Sequence, residues 1–149
     1  MNIQSNGRLI PAASKRAPLS RPHHQGPPVI LVVEDDADSR LMMRTLLEMK
    51  GYRIIEAEDG PGAIEMAERE RPQLVIMDLQ LPRMHGFAVA RHIRQHAELC
   101  LTPIVIMSGH DPLYHRPLAL AAGCNEYLNK PLDFDLLERT LLHLLPFAA

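Results

Sequence analysis

The chain alternates short apolar runs with longer amphipathic segments, and this alternation begins at residue 29. Apolar runs read VILVV at 29–33, LVIM at 74–77 and IVIM at 104–107. Runs of four or five residues rich in Val and Ile are typical of strands buried on both faces of a parallel sheet. Residues 52–57 and 126–129 predict two further strands of the same kind.

Each predicted strand is followed by a segment whose apolar residues recur at helical spacing. The residues assigned to the first apolar helix face are Leu41, Met42, Thr45, Leu46 and Met49. Those assigned to the last are Leu136, Leu137, Thr140, Leu141, Leu144 and Leu145. Five strands alternating with five helices predict an α/β domain with a parallel sheet that helices cover on both faces.

Several polar and proline residues predict where helices begin. Asp36 and Asp133 each precede a helical segment and suit the N-cap position. Pro112 and Pro117 fall where the fourth helix is expected, and proline is tolerated only in the first turn of a helix. We therefore predict that the fourth helix is short and begins near Pro117.

Polar side chains stand at the end of almost every predicted strand. Glu34 and Asp35 follow the first strand, Asp78 ends the third, Ser108 ends the fourth and Lys130 follows the fifth. In an open parallel sheet, the carboxyl ends of the strands share one edge, where ligands bind. These five residues are therefore predicted to converge.

The residue types at this edge indicate a cation and a phosphoryl group. Three carboxylates in one place repel each other unless a cation lies among them. Oxygen ligands without His or Cys favour Mg²⁺ over Zn²⁺. Mg²⁺, the ammonium group of Lys130 and the hydroxyl of Ser108 could together hold a dianionic phosphoryl group.

Four segments resemble the signature blocks of receiver domains of two-component response regulators. They are VVEDD at 32–36, MDLQLPRMHG at 77–86, IMSG at 106–109 and YLNKP at 127–131. Each block alone is a weak motif, but together they occur in the right order at the right strand ends. The resemblance extends over residues 29–146 and is closest in kind to single-domain chemotaxis regulators. It implies a flavodoxin-like, doubly wound (βα)5 fold with strand order 2-1-3-4-5.

The resemblance implies a role for each residue at the sheet edge. Asp78 matches the phosphoacceptor, and Lys130 matches the lysine that pairs with the phosphoryl group. The Lys130-Pro131 peptide bond resembles one that is cis in the family. Mg²⁺ is implied to bind Glu34, Asp35, Asp78 and the backbone carbonyl of Gln80.

Further residues match positions that switch or tune such domains. Ser108 matches the hydroxyl that bonds the phosphoryl group, and Tyr127 the aromatic residue that turns inward with it. Gln80 and His110 match positions that tune hydrolysis of the acyl phosphate. His85 departs from the family, because an acidic residue is frequent there, and we expect this to alter loop contacts and not chemistry.

The implied function is a phosphoacceptor signalling module. A sensor histidine kinase or a histidine phosphotransfer protein would donate the phosphoryl group. A downstream protein would read the face made by the fourth helix, the fifth strand and the fifth helix, and phosphorylation could also drive homodimerisation. The domain would not be an enzyme beyond its own phosphorylation and slow autodephosphorylation.

Two other readings of the residues stay open. A docking module could use the same fold without phosphate. A Mg²⁺-dependent phosphatase of the haloacid dehalogenase type also uses an Asp at a strand end, but it needs a second Asp two residues later, where this chain has Gln80. His92 and His96 lie four residues apart, and without a third ligand in the sequence we interpret them as exposed histidines.

The composition of the chain indicates which kinds of partner it can bind and in which cell compartment it works. Residues 1–28 contain five prolines, four basic and no acidic residues and predict a disordered arm, which leaves a net charge of −6 from residue 29 onward. An acidic body argues against direct binding of nucleic acid. The chain has no apolar run of the roughly 20 residues that a membrane span needs, and no secretory signal. With only two cysteines, these features predict a cytoplasmic protein that acts as a single domain.

Overall fold

The computed structural model describes residues 26–145, in which five strands and five helices alternate. The strands are β1 (Val29–Val33), β2 (Arg53–Ala57), β3 (Leu74–Asp78), β4 (Ile104–Ser108) and β5 (Glu126–Asn129). The helices are α1 (Ala37–Met49), α2 (Gly60–Glu70), α3 (Gly86–Gln95), α4 (Pro112–Ala121) and α5 (Phe134–Leu144).

The strands form one parallel sheet, as the apolar pattern predicted, in the order β2-β1-β3-β4-β5 that the resemblance implied. Helices α1 and α5 cover one face and α2, α3 and α4 cover the other, and each face has its own cluster of buried apolar residues. All five residues of β1 are buried, because this strand lies inside the sheet with helices on both sides. The doubly wound α/β architecture is therefore confirmed.

Helix α1 buries a different face from the one the sequence suggested. Its buried residues are Met43 and Leu47. Leu41, Met42 and Met49 are 61%, 49% and 77% exposed, so the prediction of a core face through them was wrong. Apolar residues occur on both sides of this helix, and only the position of the sheet decides which side is buried.

Helix α4 begins earlier than predicted. It starts at Pro112, and Pro117 lies inside the helix, so the prediction of a late start near Pro117 was wrong. Pro112 lacks only an N–H that a first turn does not use, and the Asp111 side chain accepts a hydrogen bond from the N–H of Leu113 at 2.9 Å. Pro117 leaves the carbonyl of Leu113 without its helical partner, but Leu113 is 86% exposed and water can bond there.

Helix α3 approaches the end of β3 very closely. The N–H of Gly86 donates to the carbonyl of Leu79 at 2.9 Å. A Cβ atom on Gly86 would lie 3.0 Å from the carbonyl oxygens of both Asp78 and Leu79. The absence of a side chain at Gly86 therefore lets the helix pack against the turn that carries Asp78.

The predicted arm over 1–28 lies almost wholly outside the described residues. Within residues 26–145, no helix is long and apolar enough to cross a bilayer. Both cysteines are free thiols.

Side-chain caps fix the starts of the helices that border the carboxyl edge. Asp36 accepts from the N–H of Ser39 and Asp133 from the N–H groups of Asp135 and Leu136, which confirms both predicted caps. The unusual cap is His85, whose Nδ1 accepts a hydrogen bond from the N–H of Phe87 at 3.2 Å. Only a ring whose Nδ1 is unprotonated can do this.

The environment of His85 favours its neutral form. Burial lowers the pKa of His85 below its usual 6.5, and the positive charges of Arg91, His110 and His115 lower it further. Above that usual value the ring is neutral in both the folded and the unfolded chain. As the pH falls below it, the unfolded chain takes up the proton first, so stability is lost.

We predict that His85→Asn makes folding less sensitive to mild acid. Asparagine can cap the helix without titrating, so the variant should lose less free energy of unfolding than the wild type between about pH 7 and about pH 5. Urea unfolding followed by circular dichroism measures this difference. The matched control His143→Asn, at an exposed position of α5, should follow the wild-type pH dependence. Equal pH dependence of wild type and His85→Asn would contradict the assignment.

Candidate functional site

Three carboxylates meet at the carboxyl edge of the sheet. Oxygen atoms of Glu34, Asp35 and Asp78 all lie within 4.8 Å of one another. They meet because β1 and β3 are adjacent, with Val33 paired to Met77, so the residues that follow leave the sheet side by side. Glu34 is only 3% exposed, so its charge is costly unless it is compensated.

The amine of Lys130 lies inside this acidic cluster. Its Nζ is 2.7 Å from Oδ2 of Asp78 and 3.2 Å from Oε1 of Glu34. The backbone N–H of Lys130 donates to the carbonyl of Ser108 at 2.7 Å, which fixes the residue at the end of β5. The Lys130-Pro131 peptide bond is cis, as the resemblance implied.

Burial and mutual attraction change the pKa values of this cluster. Burial raises the pKa of Glu34, and the negative charge of Asp78 raises it further, against the lowering effect of the Asp36 N–H and Lys130. Burial by itself would lower the pKa of Lys130, but hydrogen bonds and charge from Asp78 and Glu34 raise it overall. Lys130 is therefore a firmly charged ammonium group that partly neutralises the carboxylates.

The backbone that carries Glu34 is held from two sides. Its N–H donates to the carbonyl of Ala57 at 3.1 Å, and its carbonyl accepts from Nη1 of Arg40 at 2.8 Å. The Glu34 side chain also accepts from the N–H of Asp36 at 3.2 Å. This contact of Arg40 was not predictable from the sequence, because an arginine in an amphipathic helix ordinarily faces solvent.

The two residues that follow Asp78 hold it in place, and one of them is the predicted site residue Gln80. The N–H of Gln80 donates to Oδ1 of Asp78 at 3.2 Å. The N–H of Leu79 donates to the carbonyl of Met107 at 3.0 Å, which continues the β3–β4 ladder past Asp78. Asp78 is thus held at a strand end by its own neighbours.

Ser108 and Tyr127 are linked through one residue of the loop after β4. Ser108 is 1% exposed, and its Oγ accepts a hydrogen bond from the N–H of His110 at 3.0 Å. The Tyr127 hydroxyl donates to the carbonyl of the same His110 at 3.1 Å, and Tyr127 is 2% exposed. The ring of Tyr127 is therefore turned inward in this structure.

A second group of titratable side chains lies between α2 and α3. His92 Nε2 is 3.2 Å and His96 Nε2 is 4.0 Å from the same oxygen of Glu68. However, Nδ1 of His96 accepts a hydrogen bond from the N–H of Glu98. The proton of a neutral His96 ring is therefore on Nε2, facing Glu68, so that this nitrogen has no lone pair to offer a metal ion.

Comparison with known proteins identifies the family. The sequence profile of the response regulator receiver domain matches residues 30–142. Protein PilH of Pseudomonas aeruginosa is 30% identical over 112 residues, which cover 75% of this chain and 93% of PilH. The regulatory protein PhoP of Bacillus subtilis, for alkaline phosphatase synthesis, is 34% identical over 104 residues. The match covers 70% of this chain but only 42% of PhoP.

Solved structures agree with the sequence matches. The chemotaxis protein CheY4 of Vibrio cholerae superposes with a TM-score of 0.76 at 28% identity, over 80% of this chain and 100% of that one. The receiver domain of a sensor histidine kinase from Pseudomonas aeruginosa, solved with a magnesium ion coordinated in its active site cleft, gives a TM-score of 0.73 at 32% identity. That match covers 79% of this chain and 97% of the other.

The family profile covers most of the chain, and the fold and strand order agree with it. The chain therefore belongs to the response regulator receiver domain family and is a receiver module of two-component signalling.

Proposed function

We propose that this receiver domain accepts a phosphoryl group on Asp78 and that Mg²⁺ bound beside it assists the transfer. The observation that carries the proposal is the position of Asp78, whose carboxylate contacts the Lys130 ammonium at 2.7 Å and clusters with Glu34 and Asp35. A nucleophilic oxygen, a fixed cation and unneutralised acidic groups at one strand end suit phosphoryl transfer.

The donor set fits a divalent, oxygen-preferring cation. The cluster contains three carboxylates, which belong to Glu34, Asp35 and Asp78. It also contains the ammonium group of Lys130. If all are ionised, two negative charges stay uncompensated, and a divalent ion would balance them. Mg²⁺ would be held by these carboxylates and the carbonyl of Gln80, and would neutralise charge on the oxygens of the transferring group.

The phosphoryl donor would be a phosphohistidine of a sensor histidine kinase or a phosphotransfer protein. A carboxylate oxygen of Asp78 attacks phosphorus, the new P–O bond forms, and the P–N bond to the donor imidazole breaks with its electron pair leaving on nitrogen. The hydrogen bond from the N–H of Gln80 and the strand end hold Asp78 in place for this attack. Lys130 stays close enough to pair with the phosphoryl oxygens.

Ser108 can respond to the new phosphoryl group. Its Oγ now accepts from the N–H of His110, so its own hydroxyl proton is available for a phosphoryl oxygen. Any movement of Ser108 would change the contact of His110 with the Tyr127 hydroxyl. Phosphorylation would thus favour one of two arrangements of the loop after β4.

The surface beside this loop suits protein output. Leu113, Tyr114 and Leu120 of α4 are 86%, 68% and 52% exposed. A downstream protein, or a second copy of the domain after phosphorylation, would bind the face formed by α4, β5 and α5. Gln80 and His110, next to Asp78 and Ser108, would tune the slow autodephosphorylation that ends the signal.

We predict that Asp78→Asn abolishes phosphorylation. Wild-type protein incubated with acetyl phosphate and Mg²⁺ should gain the mass of one phosphoryl group, and the amide variant should gain none because it lacks the nucleophilic oxygen. Intact-protein mass spectrometry measures this gain. The control Asp135→Asn removes an exposed carboxylate in the first turn of α5 and should be phosphorylated like the wild type. A wild type that never gains mass would favour the phosphate-independent docking module.

We predict that Lys130→Met destabilises the metal-free domain by about 2 kcal/mol. The change leaves Glu34 and Asp78 without their cation, and the cost is below that of a fully buried pair because Lys130 is 35% exposed. Urea unfolding with and without Mg²⁺ measures it, and Mg²⁺ should restore more stability to the variant than to the wild type.

The matched control for that experiment is Lys50→Met. Lys50 pairs with Glu138 at 3.0 Å and is 55% exposed, so its loss should cost less than about 1 kcal/mol and should not change the effect of Mg²⁺. If both lysine variants behave alike, Lys130 does not neutralise the acidic cluster.

A further inference from the structure

We infer that Arg40 is a positioning residue for the Mg²⁺ site, acting through the backbone carbonyl of Glu34. The inference rests on the proposed function and deepens it. Within residues 26–145, the hydrogen bonds and ion pairs of Arg40 do not reach the three carboxylates of the cluster. Its effect would come from the orientation it imposes on the segment that carries two of them, Glu34 and Asp35.

The guanidinium group of Arg40 joins three segments of the chain. Its Nη1 donates to the carbonyl of Glu34 at 2.8 Å, its Nε to Oε1 of Glu56 at 3.1 Å, and its Nη2 to Oε1 of Glu58 at 3.3 Å. The side chain is 15% exposed, although arginine is ordinarily a surface residue. A planar fork of donors can make these three bonds together, which a lysine cannot.

This contact fixes one particular peptide group. The carbonyl of Glu34 belongs to the peptide bond that leads to Asp35, and the N–H of Glu34 is already bonded to the carbonyl of Ala57. Both backbone groups of Glu34 are therefore hydrogen-bonded. Because the main chain is held there, the directions in which the Glu34 and Asp35 side chains leave it are also constrained. The N-cap at Asp36 then begins α1 immediately afterwards.

The charge and the hydrogen bond of Arg40 would have opposite effects on a bound cation. The positive charge would repel Mg²⁺, because the guanidinium group lies against the backbone of Glu34, one of the proposed ligands. The hydrogen bond would favour Mg²⁺ by holding the ligands in place, as outer-shell partners of metal ligands do. Substitutions can separate the two effects, because lysine keeps the charge and loses the fork.

Arg44 provides a matched control on the same helix. It pairs with Glu56 and Glu48, is 44% exposed, and has no contact with Glu34 in the described hydrogen bonds. Arg44→Met therefore removes one positive charge and one bond to Glu56, as Arg40→Met does, but leaves the Glu34 carbonyl bonded. The difference between the two variants measures the carbonyl contact.

The test is an NMR titration of the isotope-labelled domain with Mg²⁺. We expect Arg40→Met and Arg40→Lys to raise the Kd for Mg²⁺ about tenfold, and Arg44→Met to change it less than about twofold. Equal Kd values for Arg40→Met and Arg44→Met, or a wild-type Kd for Arg40→Lys, would overturn the inference. In the second case the planar fork of Arg40 would not be required for Mg²⁺ binding.

A second readout needs no metal. In Mg²⁺-free buffer, the amide of Asp36, which bonds to the Glu34 side chain, should exchange its hydrogen faster in Arg40→Lys than in Arg44→Met. Equal exchange rates would also count against the inference. A wild type that does not bind Mg²⁺ would instead refute the proposed function, and hydrogen exchange would still report whether Arg40 orders the segment.

Discussion

The concentration of negative charge at the carboxyl edge of the sheet is the constraint on which the site depends. Adjacent parallel strands bring Glu34, Asp35 and Asp78 within 4.8 Å of each other. Like charges at that separation, one of them almost fully buried, raise the free energy of the folded state. The cluster is tolerable because the Lys130 ammonium group lies among them, and the charge that is left over suits a divalent ion. The repulsion among the carboxylates, which destabilises the folded state, would therefore favour binding of Mg²⁺ and, with it, of a phosphoryl group.

The site combines rigid and adjustable parts. The carboxylates follow or end β1 and β3, which are paired with strands on both sides, and Gly86 lets α3 support the turn after β3. Lys130 follows the edge strand β5, where its N–H is bonded to the Ser108 carbonyl. The side chains of Ser108 and Tyr127 both bond the backbone of His110, which lies in the loop between β4 and α4. A phosphoryl group bound to the rigid part could thus bias the adjustable part, which borders the exposed side chains of α4.

Helix α1 illustrates how one element can serve both stability and the site. Met43 and Leu47 pack it against the sheet, while Arg40 reaches back to the carbonyl of Glu34. The helix is therefore anchored at the residue that begins the acidic cluster. Its outer side leaves Leu41, Met42 and Met49 exposed, which the apolar pattern alone had assigned to the core.

Apart from the strand order, which the resemblance to receiver domains implied, the sequence by itself determined the convergence of the polar strand ends and the chemistry they could support. It could do so because buried parallel strands are continuous apolar runs, and because the polar residues that follow such runs must leave the sheet at one edge. Asp36 and Asp133 were also predictable as N-caps, because a cap depends only on the residue type directly before a helix. Only the tertiary structure decided which face of α1 is buried, that α4 continues through Pro117, and that Arg40 holds Glu34. These outcomes depend on surroundings that the local sequence does not reveal: the sheet that covers one side of α1, the solvent around Leu113, and the carboxylates of Glu56 and Glu58 that bond Arg40.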